Sequence, residues 1–426
     1  MSHNPVEDRH RNTLYLVVAL SMIFMTLVLA IQPLFLRQVL GLGRDNAGFV
    51  NANIQVLTEI VDLIFVGYLG YLSDRFGRIP LMAAGFMVAG VTALLAPFSA
   101  EIGLALGVSG LGVFYASRAI ISLGTTAVWP QVATLTGDYT DLESRPRLLA
   151  KVGFMMAFGA TLVYAVLMQL PKHAGVILVM LLPAGIAFIG AWLVRHFLVE
   201  VAPKYKEGQF PFRRVVDLLK REKGLRLSFL AAFSSRNDMV IIGLFLMTWF
   251  VYFSDLVPDI SHAQAASRAG LVIGFIGLVV LVSIPIWGRI IADLGRVPAI
   301  TLGMCLSGSG FAAMGLVFNP FSWWTFVPAF LVGLGQAGCL LAPQTLTLDL
   351  APEEIRGSVM GAFNTVGCIG IIFFLQTGGF LFDWISPTAP FLFTGIANFV
   401  IMGYGLWILK SLRQSAPAVS ELEDSI

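Results

Sequence analysis

Charge is scarce in this chain. Asp, Glu, Lys and Arg make up 12% of its 426 residues, against about 25% in an ordinary soluble domain. With 57% apolar residues and a mean hydropathy of +0.83, so few charges cannot cover a water-exposed surface. A soluble enzyme, a disordered chain and a nucleic-acid binder are therefore excluded. Cysteine is scarce too. Cys305, Cys339 and Cys368 lie in apolar stretches without metal-ligand spacing. They read as small packing residues, not as a disulfide framework or a zinc site. The five histidines, His3, His10, His173, His196 and His262, fall in tails, loops or span ends. That disfavours a redox or soft-metal centre and leaves room for a hard cation bound by oxygen. No nucleophile–base pair, phosphate loop or cofactor motif occurs. The glycines of GLGRDNAG at residues 41–48 are wrongly spaced for a nucleotide. No cofactor and no nucleotide-driven pump is expected.

Uninterrupted apolar sequence is what the chain has in abundance. No Asp, Glu, Lys or Arg occurs over residues 12–36, 79–100, 152–171, 174–194, 269–288, 297–348, 357–382 or 384–409. A membrane-spanning helix needs about 20 mostly apolar residues. The longest gap holds two spans joined by the turn-like Asn319-Pro320-Phe321-Ser322. Twelve spans follow, at residues 14–40, 49–73, 79–98, 106–136, 148–170, 175–198, 227–254, 268–291, 298–318, 323–348, 356–381 and 388–411. Uniformly apolar runs are not barrel strands, which alternate. The first is too long for a signal peptide, and no small-residue cleavage site follows it. The predicted class is an all-α membrane protein of two six-helix halves, residues 1–198 and 227–411. A cytoplasmic linker joins them at 199–226, and an acidic cytoplasmic tail follows at 412–426. Within the linker, FPFRRVVDLLKREKG reads as a basic amphipathic helix on the inner leaflet. With the N-terminus inside, 21 of the 27 basic residues fall in inner segments and four in outer loops; Arg118 and Arg236 fall inside spans. Both termini are therefore expected in the cytoplasm.

The halves repeat each other. GYLSDRFGRIP at residues 70–80 follows the second span, and GRIIADLGRVP at 288–298 follows the eighth. Gly70, Gly77, Arg78 and Pro80 match Gly288, Gly295, Arg296 and Pro298 at an offset of 218 residues. Asp138, Glu143 and Arg145 match Asp349, Glu354 and Arg356 at 211. Such a parallel duplication suits an alternating-access transporter with its site between the halves.

Gly70, Asp74, Arg75, Gly77 and Arg78 resemble the inner-loop signature of the major facilitator superfamily. Arg118-Ala-Ile-Ile-Ser-Leu-Gly124 with Pro130 resembles its fourth-span motif, and APEEIRGSVMGAFNTVG from Ala351 its loop before span eleven. The resemblance covers nearly the whole chain. It implies the twelve-helix major-facilitator fold and an inner gate formed by the first signature and its copy at Gly288, Gly295 and Arg296. Departures exist: Ile79 replaces a second basic residue, Ala292 faces Asp74 in the second copy, and Ser122 replaces a glycine. The fifth span, KVGFMMAFGATLVYAVLMQ, lacks the Gly-Pro element of the family's drug–proton antiporters. The stretches LYLVVALSMIFMTLVLAIQPLFLRQVLG and NANIQVLTEIVDLIFVGYLGYLSDRFGRIP further resemble the major-facilitator proteins of the bacterial magnetosome membrane, a group implicated in iron supply to magnetite.

Charges inside spans cost about 2.5–3.5 kcal/mol each at a helix centre, so Glu59, Asp62, Arg118, Arg236 and Asp238 are the candidate site. On the second span Asn51, Gln55, Thr58, Glu59 and Asp62 recur every three or four residues, which puts them on one helical face. At the 218 offset Glu59 and Asp62 fall on Gly277 and Val280, so fold symmetry did not require them. They read as a cation or proton site, with Glu59 and Asp62 the candidate metal ligands, or alternatively as buried partners of Arg118. Arg118, whose counterpart is Ala329, is expected in proton coupling or substrate contact, or in an ion pair with those carboxylates. Arg236-Asn237-Asp238 is expected in the cavity, unless span seven begins later and leaves it near the inner surface. Gln336, Gln344, Asn364, Gln376 and Asn398 read mostly as interhelical hydrogen-bond formers.

The functional expectation is a monomeric secondary transporter of a small polar solute, above all a cation such as iron, with protons as coupling ion. Its partners are the lipid bilayer and a small-molecule or ion substrate. It would sit in a bacterial inner membrane or one derived from it, such as the magnetosome membrane. The alternatives are a proton-coupled organic-solute or drug carrier and a non-transporting assembly or sensor protein.

Overall fold

A computed structural model describes residues 6–139, 145–201, 212–236, 238–352 and 355–415. Within these, it describes all side chains except those of Asp74, Ala133, Arg145, Pro146, Arg147, Leu149, Ala150, Phe212 and residues 412–415. Twelve helices are long and apolar enough to cross a membrane: Asp8–Gln38, Arg44–Ser73, Arg78–Leu106, Gly110–Asp138, Lys151–Ala174, Val176–Phe197, Lys223–Leu256, His262–Leu294, Arg296–Met314, Trp323–Leu350, Arg356–Trp384 and Ala389–Ser411. The described residues contain no strand. The all-α, twelve-span expectation holds.

The ends differ where local chemistry decides them. The third span runs past residue 98 through the tight turn Ala96–Phe98 and stops at Gly107, whose φ of +68° ends the helix. The fourth then starts at Gly110, capped by Ser109, whose hydroxyl accepts from the Gly112 amide at 3.1 Å. A short helix, Phe212–Arg221, precedes the seventh span, with Val215 buried and Arg213 and Arg214 exposed.

Packing divides the chain into two units. The first comprises Met1–Glu207 and Ile242–Gly277, the second Gly208–Ile241 and Leu278–Ile426. In the first unit, Leu14, Val17 and Phe24 of the first span form a core with Phe86 and Ala89 of the third and Val128 of the fourth. Gly85 and Gly124 bring the third and fourth spans into backbone contact: a Cβ at Gly85 would lie 2.6 Å from the Gly124 carbonyl oxygen. The N-terminal half of the eighth span packs on the fifth through Gly270, Gly274 and Gly277. A Cβ at Gly274 would lie 2.9 Å from the backbone of Ala165. Small residues at three- and four-residue spacing are how membrane helices approach closely. In the second unit, the buried Trp287 donates its indole N–H to the Leu334 carbonyl at 2.7 Å, and Ser228 donates to the Pro343 carbonyl at 2.6 Å.

The seventh span is not one regular helix. It is helical over Lys223–Ser235 and again from Asp238 to Ile241, then passes through a π turn at Ile242–Leu246 before Met247–Phe253. The change of unit, between Ile241 and Ile242, falls inside this irregular stretch.

Candidate functional site

The fourth span carries Arg118, Ser122 and Thr126 at four-residue spacing on one face, while Gly124 fixes the opposite side against the third span. That rotation aims all three at the polar stripe of the second span. Arg118 is 5% exposed and donates to Gln55 Oε1 at 3.0 Å; Gln55 in turn donates to Glu59 Oε1 at 3.2 Å. The guanidinium thus reaches a carboxylate through an amide. Asp62, half-buried, accepts from Ser122 at 2.5 Å and from Thr126, and Ser122 also reaches the Thr58 carbonyl at 2.9 Å. Asn51 sits at the N-terminal end of the stripe, fully buried, accepting from Gln32 at 3.0 Å. Its place is among buried amides, a turn away from Gln55. The structure therefore brings together Gln55, Glu59, Asp62 and Arg118, and adds Ser122 and Thr126. The sequence had a signal for these two: Ser122 stands where the family pattern has glycine, and Thr126 is one turn on.

In the second unit the neighbours Arg236 and Asp238 part company. Arg236 lies thirteen residues after the start of the seventh span at Lys223. It is exposed and donates to Asn364 Oδ1 at 2.5 Å. Asp238 is completely buried and accepts from Ser307 at 3.0 Å. Asn237 lies outside the described residues. Asn398 and Ser307, from the twelfth and ninth spans, complete this cluster: Asn398 donates to Ser307 at 3.2 Å and accepts from Ser234 at 2.6 Å.

The inner-loop motif and its copy share one backbone conformation. Gly77 has φ +95° and Gly295 φ +86°, values that favour glycine. Arg78 pairs with Asp138, and Arg296 Nε with Asp349 at 2.7 Å, so residues matched at two independent offsets meet in both copies. In the first copy, Glu200 closes the start of the third span: its two oxygens accept from the amides of Arg78 and Ile79 at 3.0 and 2.9 Å. Gly70 and Gly288 have nothing within 4 Å of an added Cβ. The small residues serve turn geometry at Gly77 and Gly295, not close approach at Gly70 and Gly288. Arg75 is exposed, with its guanidinium over the Phe76 ring at 5.3 Å. The Asp74 side chain, Glu143 and Glu354 lie outside the described residues.

No three His, Cys, Asp or Glu residues cluster among the described residues. Glu59 and Asp62 place two carboxylates on one helix, with the hydroxyls of Ser122 and Thr126 at Asp62 and the Gln55 amide at Glu59. Such a set suits a hard cation that keeps part of its own shell.

The family model described as Major Facilitator Superfamily matches residues 14–374 and 239–424. The magnetosome protein MamH of Paramagnetospirillum magneticum is 54% identical over 405 residues, covering 95% of this chain and 94% of MamH. The magnetosome protein MamZ of the same organism is 37% identical over 404 residues, and the chain spans only 63% of MamZ. A solved structure of the nucleoside transporter NupG superposes with a TM-score of 0.73 over 94% of this chain and 99% of that one; its 13% identity speaks to the fold alone.

Proposed function

Since the chain belongs to the major facilitator superfamily, and so is an integral membrane transporter rather than an enzyme, we propose that it carries iron across a magnetosome-type membrane, coupled to protons. The iron reading draws on the likeness to MamH and on one feature above all: the oxygen set around Asp62 and Glu59. A hard cation prefers carboxylate, hydroxyl and amide oxygen to sulfur or imidazole. Gln55, Glu59 and Asp62 supply such oxygens on one face of the second span, and Ser122 and Thr126 bring hydroxyls to Asp62 from the fourth. Arg118 offsets one of the two negative charges through Gln55, so that the pair can bind and release a cation or a proton in turn. Arg236 and Asp238 add a solvated cation and a buried acid on the seventh span. The Gly77–Arg78 loop and its copy serve as the inner gate. The 21-to-4 basic asymmetry supports cytoplasmic termini, and the carrier works as a monomer.

The test is uptake of radioactive iron(II) into proteoliposomes under an imposed proton gradient. The reading requires uptake that collapses when the gradient is removed. Gradient-independent, background-level uptake would end it. A second reading, a carrier of an organic acid or an iron chelate, is favoured by the exposed Arg236 guanidinium, which fits a carboxylate. Iron(III) citrate, offered in place of iron(II), distinguishes the two.

A further inference from the structure

Asp238 is a buried carboxyl group set among neutral partners. Its side chain is completely buried. Oδ2 receives the Ser307 hydroxyl, and Oδ1 has no hydrogen-bond partner among the described residues. The donors are ordered in one direction: Ser234 to Asn398, Asn398 to Ser307, Ser307 to Asp238. Three neutral groups thus deliver a single hydrogen bond to the acid. The nearest charged residue in sequence, Arg236, turns away to Asn364. On the elements packed around the cluster, the titratable neighbours are the thiols Cys305 and Cys339, which bring no positive charge. The charged residues of spans nine to twelve, Arg296, Asp349, Arg356, Asp383 and Lys410, stand two turns or more along their helices from Ser307, Cys339, Asn364 and Asn398. A buried ion without a counter-charge is strongly disfavoured. One carboxylate and one hydroxyl are also too few to hold a dehydrated metal ion.

We propose that Asp238 is a proton-binding site inside the second unit, loaded as the carboxylic acid in this conformation and emptied when the seventh span rearranges. The proton resides on Oδ1, and Oδ2 keeps the Ser307 bond. The chain passes from exposed at Arg236, which caps Lys223–Ser235, to fully buried at Asp238, and the π turn Ile242–Leu246 begins four residues later. π turns mark places where a helix shifts register at functional sites. A small rotation there exposes the acid to water and lets the proton leave. This rests on the proton-coupled reading above and locates the proton in a different unit from the Asp62 cluster.

Infrared spectroscopy of the full chain in lipid vesicles tests it. A protonated-carboxyl band is expected at neutral pH, moving in heavy water, lost in Asp238→Asn and kept in Asp62→Asn. Ser307→Ala retains the acid and removes its one hydrogen bond, so the band should shift in frequency. It carries the test should Asp238→Asn not fold. An unchanged band in folded Asp238→Asn, or in Ser307→Ala, overturns the proposal. Iron uptake in the same vesicles reports on the coupled-carrier reading separately, because the band is read without substrate or gradient.

Discussion

Ser122 has a single hydroxyl proton with two acceptors in reach, Asp62 and the Thr58 carbonyl, and by sharing it ties the fourth span to the polar stripe of the second. Bonds to charged groups contribute about 1.5–3 kcal/mol and neutral ones about 1. Ser122→Ala should therefore lower both thermal stability and iron uptake, whereas Ser122→Thr keeps the hydroxyl and should retain more of each. Equal uptake in the alanine variant and the parent would show that the hydroxyl does not position Asp62. The stripe itself was legible from the three- and four-residue spacing of Gln55, Glu59 and Asp62. Its partners were not. Spacing along one helix says which residues share a face, but not which atoms of another helix they meet. That Arg118 reaches Glu59 by way of Gln55, and that Arg236 and Asp238 point apart, depends on helix rotation. The missing counterpart of Glu59 also gains a physical reason: Gly277 lies against Thr161, where a Cβ would already collide.

At the scale of elements, the two copies of the inner turn offer a comparison within one molecule. Gly77 and Gly295 share a positive φ with extended ψ, a region that costs a side chain about 1–3 kcal/mol. A Cβ at Gly77 would also fall 2.8 Å from Glu200 Oε2, while at Gly295 the nearest atom is Pro298 Cδ at 3.9 Å. Gly77→Ala should destabilise the protein clearly more than Gly295→Ala in thermal unfolding in detergent. The reverse order would contradict the capping role of Glu200. Beside this turn, just beyond the fourth span, Tyr139 donates to the Val199 carbonyl and accepts from the Val199 amide at 2.8 and 2.9 Å. Burial pushes its hydroxyl up to about 12, opposed by the Val199 bond and aided by the Glu200 charge. A folded value above the unfolded one means a contribution fully present below about pH 10 and lost as pH rises through about 12. Stability should stay level from neutral pH to about 9 on this account, and Tyr139→Phe should remove part of the fall above it. A parent-like alkaline limb in that variant would exclude Tyr139 as its source. The turn glycines were visible in the repeat at 218 residues. The π turn of the seventh span was not, because Ile242–Leu246 reads as a plain apolar stretch of helix.

For the whole molecule, charge-free runs were enough to count the spans, and basic asymmetry carries the expectation that both termini are cytoplasmic. The orientation is checked with a cysteine at Ser261, in the exposed segment between the seventh and eighth spans, after replacement of Cys305, Cys339 and Cys368. An impermeant thiol reagent should label it from the non-cytoplasmic side; labelling only from the cytoplasm would invert the topology. Apolar runs carry no record of which helix packs on which. The membership of Ile242–Gly277 in the first unit was therefore beyond reach, although the Gly270, Gly274 and Gly277 stripe was a readable hint of close packing.

The central claim is that the oxygen cluster of the second and fourth spans handles the transported cation. The measurement is iron(II) uptake per folded molecule in proteoliposomes for Glu59→Gln, Asp62→Asn and their double variant. Loss of a charged ligand at about 1.5–3 kcal/mol predicts roughly a tenfold or greater fall for each single change. The double variant should be less severe than the product of the two, because the carboxylates act on one ion. A double variant that transports iron at the parent rate would contradict the claim.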